Sequence, residues 1–456
     1  MMKKIFYLIL FFIVAVGGLC LSKPKVIEIE SKDNNEKIFQ KDPGGAQQKF
    51  LPFPLEEFKN NLISEKSDFI EIDLAKMTAY LYKAGKIIKE IPVLARGNPA
   101  TWGGNPVGLY LLKAKNKLAF SIAEEVYMPD SINFYGKYEI HGPPYYPDGT
   151  LLQSSFTAGC IRFSEKNIKS LYNFAQIGMP ILITDSGFKN DGYQYPQPES
   201  VSKFPEISAK SYLVADLSNG FIFLEKNSQE ALPIASLTKL MLAVVVLENV
   251  DLRKSVLVTQ KMIEPFKSFG WFQQKLEVGK NYRVVELFYP ALISSSNDAA
   301  EALSYFLGKE RTITLMNEKA KSIGMKNTKF FEPTGLGKLI NAEENLSPAR
   351  DLFYLAQYIL NVRPLLFKIT KGEKVQTFGP ISFKNLNNKN IFFNEPNFIG
   401  GKTGYTKIAD NTAIFLFNLS TKENLNRKIA IILLGSKNLK KDTEDILQWL
   451  KVNYFK

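Results

Sequence analysis

The sequence predicts two folded parts, a β-rich part over residues 65–186 and a part that mixes helices with a sheet over residues 209–456. In the first part, short alternating runs such as Phe69–Leu74 are separated by tight turns, as in strands. In the second, longer stretches such as Leu237–Val250 carry apolar residues at helical spacing. With 456 residues, 45% of them hydrophobic, the chain has the composition of a globular protein of about three domains or fewer.

The charge balance excludes some classes of function. The chain has 58 Lys plus Arg against 45 Asp plus Glu, a formal net charge of +13. The basic residues are scattered among acidic ones without a dense block containing aromatics, so nucleic-acid binding is only a distant third hypothesis. One His and two Cys cannot form a usual structural zinc site, although carboxylate sites for harder cations stay open. No cofactor is expected.

The chain begins with a targeting signal. Lys3 and Lys4 precede an apolar run of 17 residues, Ile5–Leu21, so we expect export to the periplasm or cell wall. A secretory core usually has about 7–15 apolar residues and a spanning helix about 17–25, so residues 1–22 are either a cleaved signal peptide or a membrane anchor. Cys20 follows Gly17-Gly18-Leu19 and is assigned to the apolar segment rather than to a lipoprotein signal.

Two polar segments divide the rest of the chain. Residues 23–64 are rich in Lys, Asn and Gln and are predicted to form a tether. Residues 187–208 contain several Pro and Gly and are predicted to be a linker between two folding units. The second unit opens with a predicted hairpin around the Asn219-Gly220 turn.

One thiol and one imidazole stand out. Cys160 is the only cysteine after the signal, and His141, the only histidine, lies 19 positions before it. An unpaired cysteine in an oxidising compartment tends to oxidise, so a free thiol there should have a use. Nucleophilic attack needs a thiolate, which a neighbouring His commonly generates.

The stretch Ser155–Phe163, together with His141-Gly142 and Asn105–Gly108, resembles the active-site signature of the L,D-transpeptidase family of peptidoglycan enzymes. The resemblance spans about Phe69–Thr184 and implies a β-sandwich-like fold and a cysteine acyl-enzyme. By resemblance, Cys160 would attack the carbonyl of the third stem-peptide residue and His141 would take the thiol proton. Gly159 would shape the loop, and Arg162 would position the substrate.

One position departs from the family pattern. Many members have a His immediately before the Gly-Cys pair, whereas this chain has Ala158. General acid–base help from one group contributes typically 10²–10⁴-fold in rate. Two alternatives therefore stay open: a slow transpeptidase, and a domain that only binds wall peptide.

A second set of motifs predicts serine chemistry. Ser236 and Lys239 lie one helical turn apart at the start of an apolar helix, where a neutral Lys can deprotonate the hydroxyl. The Ser-x-x-Lys pattern also occurs at residues 22–25 and 200–203, so alone it is weak. Ser295-Ser296-Asn297 and Lys402-Thr403-Gly404 follow in the order that this chemistry requires, which makes chance a poor explanation.

These motifs resemble those of the D-alanyl-D-alanine carboxypeptidases, the low-molecular-mass penicillin-binding proteins, from about Tyr212 onward. The resemblance implies a β-lactamase/transpeptidase-like fold with helices packed on an antiparallel sheet. It also implies that β-lactams are inhibitors. By resemblance, Ser236 would be the nucleophile, Lys239 its base and Ser295 a proton relay, and Asn297 would contact the substrate amide. Lys402 and Thr403, beside Gly404, would hold the substrate carboxylate. The backbone N–H groups of Ser236 and Tyr405 would form the oxyanion hole.

The two resemblances together imply one pathway on peptidoglycan stem peptides. A D,D-carboxypeptidase trims pentapeptide stems to tetrapeptides, and tetrapeptides are the acyl donors of L,D-transpeptidases. The chain is therefore expected to form 3→3 links from donors that it makes itself. Two alternatives remain: a serine D,D-endopeptidase that cuts 4→3 bridges, and a serine enzyme anchored by a non-catalytic cysteine domain.

Overall fold

A computed structural model describes residues 49–188, 190–196, 198, 202–269, 275–375 and 378–456. The predicted signal segment, residues 5–21, lies outside them. Among the described residues, no helix combines the length and apolar character that crossing a membrane requires. We refer to residues 49–188 as the N-terminal half and to the described residues from 190 onward as the C-terminal half.

The N-terminal half is built mainly from strands, because its apolar residues alternate over short runs closed by turns. Its elements are helix α1 Pro54–Ser64, strands β1 Phe69–Asp73, β2 Thr78–Lys83, β3 Lys86–Pro92, β4 Arg96–Gly97, β5 Gly108–Leu111, β6 Ala114–Ser121, β7 Val126–Tyr135, β8 Tyr138–His141, β9 Phe156–Thr157 and β10 Ile161–Arg162, helix α2 Glu165–Phe174, and strand β11 Pro180–Thr184.

Two sheets organise this half. The first has the order β3-β2-β1-β11-β5 and is antiparallel except where β1 runs parallel to β11. The second has the order β10-β8-β7-β6, with β8 parallel to β10. The register of β8 and β10 pairs Ile140 with Ile161 and His141 with Arg162, which brings the predicted imidazole beside the chain that carries Cys160.

The C-terminal half combines helices with one large sheet. Its elements are strands β12 Ser211–Asp216, β13 Ile222–Lys226 and β14 Leu232–Pro233, helix α3 Thr238–Asn249, strand β15 Ser255–Leu257, helix α4 Gln260–Lys267, strand β16 Asn281–Arg283, helices α5 Val284–Ile293, α6 Asn297–Tyr305 and α7 Lys309–Ser322, strand β17 Leu346–Ser347, helices α8 Ala349–Val362 and α9 Pro364–Lys371, strands β18 Phe398–Thr406, β19 Asp410–Ser420 and β20 Asn426–Ser436, and helix α10 Leu439–Asn453.

The large sheet is antiparallel, with the order β13-β12-β20-β19-β18. Both of its faces are covered. Because side chains alternate along a strand, Ile432 and Leu434 of β20 pack into the core that contains α3, whereas Ile431 and Leu433 pack into the core that contains α10. Helix α3 is buried along almost its whole length, which fits its nearly continuous apolar sequence.

The two halves share a core, a contact between the two predicted parts that the sequence did not reveal. The described residues form one compact unit, and one hydrophobic cluster contains Tyr110 and Tyr138 together with residues of α3 and α8. The fit is close. A Cβ on Gly108 would lie 2.7 Å from the carbonyl oxygen of Ser322.

Both predicted polar segments are partly docked. Within residues 187–208, Tyr195 is buried and donates to Asp216 Oδ2 at 2.7 Å. The tether predicted over residues 23–64 is wrong for its last part, because residues 54–64 form α1 and Leu51 donates to the Gly220 carbonyl oxygen at 2.8 Å. Composition suggested a tether because the apolar anchors are few and lie among charged residues.

Candidate functional sites

The first site begins at the turn that leads into α3. Ser236 lies in a 3₁₀ turn, Ala235–Leu237, and Lys239 lies in the first turn of the helix. Lys239 Nζ is 2.9 Å from Ser236 Oγ, and its side chain is buried. Burial lowers the pKa of Lys239 to about 7, although the buried carboxylates of Glu332 and Asp298 act in the opposite direction. A substantial fraction of Lys239 is therefore unprotonated at neutral pH and able to accept the serine proton.

Two further oxygens hold Lys239 Nζ in place. It donates to Asn297 Oδ1 at 2.8 Å and to the carbonyl oxygen of Thr334. With Ser236 Oγ these acceptors match the three hydrogens of a protonated ammonium group. The amine thus stays at one position when it gains the proton.

Two buried carboxylates near Lys239, Glu332 and Asp298, were not among the predicted site residues. Glu332 is fully buried and accepts from the backbone N–H of Thr334 at 2.7 Å, so it shapes the turn whose carbonyl contacts Lys239. Asp298 is fully buried and accepts from the backbone N–H of Leu276 at 2.9 Å. The sequence signal that could have identified Glu332 is the Glu-Pro-Thr-Gly run at residues 332–335.

The Lys402 side chain is the second buried amine of this site. Its Nζ donates to Ser295 Oγ at 2.9 Å and to the Thr403 carbonyl oxygen at 2.6 Å. Burial lowers the pKa of Lys402 well below its ordinary value, and the neighbouring amines of Lys239 and Lys389 lower it further. Ser295 has a φ of +57°, an uncommon conformation for a residue other than Gly, Asn or Asp. The loop between α5 and α6 thus presents the Ser295 hydroxyl to Lys402.

Strand β18 lies against the backbone of the nucleophile. A Cβ on Gly404 would be 2.7 Å from the backbone nitrogen of Ser236 and 2.6 Å from Thr412 Oγ1, so only glycine fits there. This close approach brings the strand segment that contains Tyr405 beside the Ser236 N–H, where an oxyanion hole was predicted.

One cavity of about 1000 Å³ opens onto these groups. Of the eight residues predicted for the serine site, Ser236, Ser295, Asn297, Thr403, Gly404 and Tyr405 line it, and Lys239 and Lys402 are buried at its base. The structure therefore brings together all eight.

The second site is the loop that carries Cys160, between β9 and β10. Asn105 holds this loop: its Nδ2 donates to the carbonyl oxygens of Gly159 at 2.6 Å and of Cys160 at 3.2 Å. Gly159 has a φ of +116°, and a Cβ there would collide with the ring of Tyr138. Only glycine satisfies both conditions. Asn105 had been noted only as part of the resemblance.

His141 is buried at the end of β8. Its Nδ1 is 2.7 Å from the Gly142 carbonyl oxygen, which can only accept, so Nδ1 carries the proton and Nε2 is the basic nitrogen. Burial lowers the pKa of His141 to about 4, with the nearby charge of Arg162 acting in the same direction. The imidazole is therefore neutral at pH 7.

In the register of β8 and β10, His141 lies opposite Arg162, two positions after Cys160. Among the hydrogen bonds of the described residues, none joins the imidazole to the thiol. Burial raises the pKa of Cys160 to about 11, partly offset by a hydrogen bond with the backbone of Glu139. The resting pair is a neutral thiol and a neutral imidazole, rather than the thiolate–imidazolium pair of an activated cysteine.

Arg162 follows Cys160 by two positions and lines a separate cavity of about 500 Å³ with Leu94, Leu152 and Ser154. Its Nη1 donates to the Ser154 carbonyl oxygen at 3.0 Å. Its buried Nε has no hydrogen-bond partner within the part of the chain that the structure describes. A buried N–H without a partner is costly.

No group of three or more His, Cys, Asp or Glu side chains among the described residues is arranged to hold a metal ion.

The site combines a serine at the start of a helix, a buried amine in contact with that serine, and a strand glycine packed against the serine's backbone N–H. These features define an acyl-transfer enzyme with an active-site serine. The family model for D-alanyl-D-alanine carboxypeptidases matches residues 198–438, more than half of the chain, and the chain belongs to this family. The model for the L,D-transpeptidase catalytic domain matches residues 67–183, so the chain carries both domains.

Curated relatives match the serine part. The chain is 31% identical over 232 residues to a D-alanyl-D-alanine carboxypeptidase of Bacillus subtilis, covering 50% of this chain and 58% of that one. It is 35% identical over 221 residues to a D-alanyl-D-alanine endopeptidase of Pseudomonas aeruginosa, covering 46% and 67%. A solved D-alanyl-D-alanine carboxypeptidase from Mycobacterium tuberculosis has 25% identity and a TM-score of 0.47 over 56% of this chain and 95% of that one. The chain thus spans less than two thirds of the Bacillus relative.

Proposed function

We propose that this protein is an exported, bifunctional peptidoglycan-remodelling enzyme. Its serine site removes the terminal D-Ala from pentapeptide stems, and its cysteine site uses the resulting tetrapeptides as acyl donors for 3→3 links. The observation that carries the proposal is the 2.9 Å contact between Ser236 Oγ and Lys239, whose pKa burial lowers to about 7.

In the first reaction, neutral Lys239 takes the proton of Ser236 as Oγ attacks the carbonyl of the fourth stem residue. The negative oxygen that develops is stabilised by the backbone N–H groups of Ser236 and Tyr405. The C–N bond then breaks, and terminal D-Ala leaves as an amine with a proton returned through Lys239 or Ser295. Water hydrolyses the resulting ester and restores Ser236.

Lys402 and Thr403 would hold the terminal carboxylate of the stem. Burial disfavours the charged form of Lys402 in the free enzyme. An incoming carboxylate favours that charged form, so substrate binding and protonation of Lys402 would be coupled. A β-lactam carries a comparable carboxylate and a strained amide, so we expect it to acylate Ser236 and inhibit.

In the second reaction, the Cys160 sulfur attacks the carbonyl of the third residue of a tetrapeptide and the fourth residue, D-Ala, leaves. An amine of a neighbouring stem then attacks the thioester, forming the new amide and releasing Cys160. His141 Nε2 would accept the thiol proton, and Arg162, which lines a cavity, would position the substrate. Because both sites belong to one chain, the product of the first reaction is generated at high local concentration near the second.

A specific observation favours a second candidate for the cysteine domain. The raised pKa of Cys160, the lack of a hydrogen bond from His141 to its thiol and the absence of an imidazole at Ala158 all suit a module that binds wall peptide without reacting. For the serine domain the alternative is a D,D-endopeptidase, since relatives with either name are similar to this chain. Export remains a proposal that rests on the apolar run Ile5–Leu21 after Lys3 and Lys4.

Mass spectrometry of the purified chain with a disaccharide pentapeptide tests the proposal. We expect loss of D-Ala that Ser236→Ala abolishes, followed by cross-linked or exchanged product that Cys160→Ala abolishes. If D-Ala is lost and Cys160→Ala has no effect on the products, the cysteine domain is a wall-binding module rather than a transpeptidase. A cross-linked 4→3 dimer supplied as a second substrate separates the two serine activities, because only an endopeptidase cleaves it to monomers.

A further inference from the structure

Three charged side chains are buried where the two halves meet. Glu248 at the end of α3, Lys319 in α7 and Arg363 just after α8 are each at most 2% exposed. Arg363 Nε lies 3.0 Å from Glu248 Oε1, and Lys319 Nζ lies 2.8 Å from Glu248 Oε2. One carboxylate thus serves two cations, and the remaining donors of both cations need other partners.

The N-terminal half provides those partners. Lys319 Nζ donates to the Tyr110 hydroxyl at 2.6 Å and lies 4.4 Å from the centre of the Tyr135 ring. Arg363 Nη1 donates to the Gly104 carbonyl oxygen at 2.7 Å, and its Nη2 lies 3.3 Å from the Tyr138 hydroxyl. Contacts with tyrosine rings and carbonyl oxygens stabilise a buried cation.

The two groups that Arg363 contacts are the supports of the Cys160 loop. Gly104 directly precedes Asn105, whose side chain donates to the carbonyl oxygens of Gly159 and Cys160. The ring of Tyr138 packs against Gly159 so closely that a Cβ would collide with it. A single side chain of the C-terminal half, that of Arg363, therefore contacts both groups that support the Cys160 loop, Tyr138 and the backbone next to Asn105.

We propose that Arg363 is a positioning residue for Cys160, so that the cysteine site is complete only when the N-terminal half is docked on the serine domain. The planar guanidinium contacts Glu248, Gly104 and Tyr138 in three directions, which the single amine of a Lys cannot reproduce. The proposal rests on the proposed role of Cys160 as a nucleophile, but the order of the loop can be measured without it.

The test uses the full chain with Cys20→Ser, which leaves Cys160 as the only thiol. Arg363→Met removes all three contacts but leaves Glu248 paired with Lys319, so no carboxylate is stranded. Arg363→Lys is the second variant and retains the charge. Arg311→Met, at an exposed position in α7, is the control for loss of one positive charge.

Acylation of Cys160 by a carbapenem is followed by intact-protein mass in a Ser236→Ala background, as a function of carbapenem concentration. For both Arg363 variants we expect the limiting acylation rate to fall roughly ten- to a hundredfold, with the half-saturating concentration changed less than about threefold, because misplacement affects the reacting geometry more than binding. Acylation of Ser236 by a fluorescent penicillin, measured in the Ser236 form, should stay within about twofold of wild type.

An unchanged limiting rate of Cys160 acylation in both variants would overturn the proposal. An equal loss in the rate of Ser236 acylation would also overturn it, because it would show that the buried ion network has only a structural role. A Cys160 that no carbapenem acylates even in the wild-type chain would contradict the proposed transpeptidase instead. In that case hydrogen exchange decides: exchange in residues 97–105 and 156–160 should accelerate in the Arg363 variants while α10 is unaffected. Equal exchange in the loop would overturn the proposal independently of any activity.

Discussion

Lys239 acts as a base only after losing its proton, and its pKa of about 7 sets where that occurs. As pH rises through 7, the neutral fraction grows, so the acylation rate of Ser236 should rise and level off above about pH 8. Rates of penicillin acylation between pH 5 and 9 measure the midpoint, which an ordinary lysine would place near pH 10.4.

Lys239→Arg is the matched variant, because it keeps the positive charge and cannot deprotonate at these pH values. We expect acylation to fall by roughly 10²–10⁴-fold and to lose its midpoint near pH 7. A midpoint retained in Lys239→Arg would show that another group is the base.

Cys160 should behave as a thiol with a high pKa, because burial raises that pKa to about 11. Only the thiolate is alkylated, so in the Cys20→Ser chain the rate with iodoacetamide should increase about tenfold per pH unit from pH 7 to 9.5 without levelling. His141→Gln should leave this slope unchanged, since no hydrogen bond joins the imidazole and the thiol. A plateau below pH 8 that His141→Gln removes would indicate an activated pair.

The residues that react were recognisable in the sequence, and the residues that tune them were not. Ser236, Lys239 and Cys160 lie in short motifs of fixed spacing. Arg363 lies 115 positions from its partner Glu248, so this pairing is set by tertiary packing, which no local pattern encodes. The departure of the Cys160 pKa from its ordinary value is also a property of burial rather than of composition.

Among the elements, strand β18 leaves the least room for a larger side chain, at Gly404. A Cβ at Gly404 would lie 2.7 Å from the Ser236 backbone nitrogen, so Gly404→Ala must push the strand away from the nucleophile. Loss of one oxyanion donor costs about 10²–10³-fold in rate, and we expect a loss of this size in penicillin acylation. Gly103→Ala is the control, because its backbone is not in the left-handed region and its Cβ would meet no atom closer than 3.5 Å. Equal acylation by both variants would contradict the proposed oxyanion hole.

Helix α3 was predicted over residues 237–250 and extends over Thr238–Asn249. Continuous apolar character made its existence predictable. Its two ends serve different sites: Lys239 lies at the start, beside Ser236, and Glu248 lies at the end, beside Arg363. An acidic residue in the last turn of an apolar helix gave no indication in the sequence that its partner was Arg363, 115 positions later.

At the scale of the whole molecule, the shared core predicts cooperative unfolding. One hydrophobic cluster spans both halves, and the buried ions of the C-terminal half depend on Tyr110 and Tyr138 of the N-terminal half. Calorimetry of the full chain should therefore show one main transition whose calorimetric and van't Hoff enthalpies agree. Two well-separated transitions would contradict a single cooperative unit.

The division into a β-rich part and a helix-and-sheet part was predictable, because the two parts have different hydrophobic periods. Their docking was not. A linker rich in Pro and Gly is typical of separate domains, and the contact surface is marked by glycines such as Gly104 and Gly108 whose fit depends on residues far along the chain.

The order of synthesis gives the docking a further consequence. Arg363 is 203 positions after Cys160, so at about 5–20 residues per second the ribosome adds the guanidinium about 10–40 seconds after the thiol. During that interval Gly104 and Tyr138 lack the Arg363 guanidinium. Cys160 is therefore synthesised before Ser236, but the contacts that support its loop are completed only when Arg363 is added. A chain terminated before residue 363 would carry the Cys160 thiol without the Arg363 side chain.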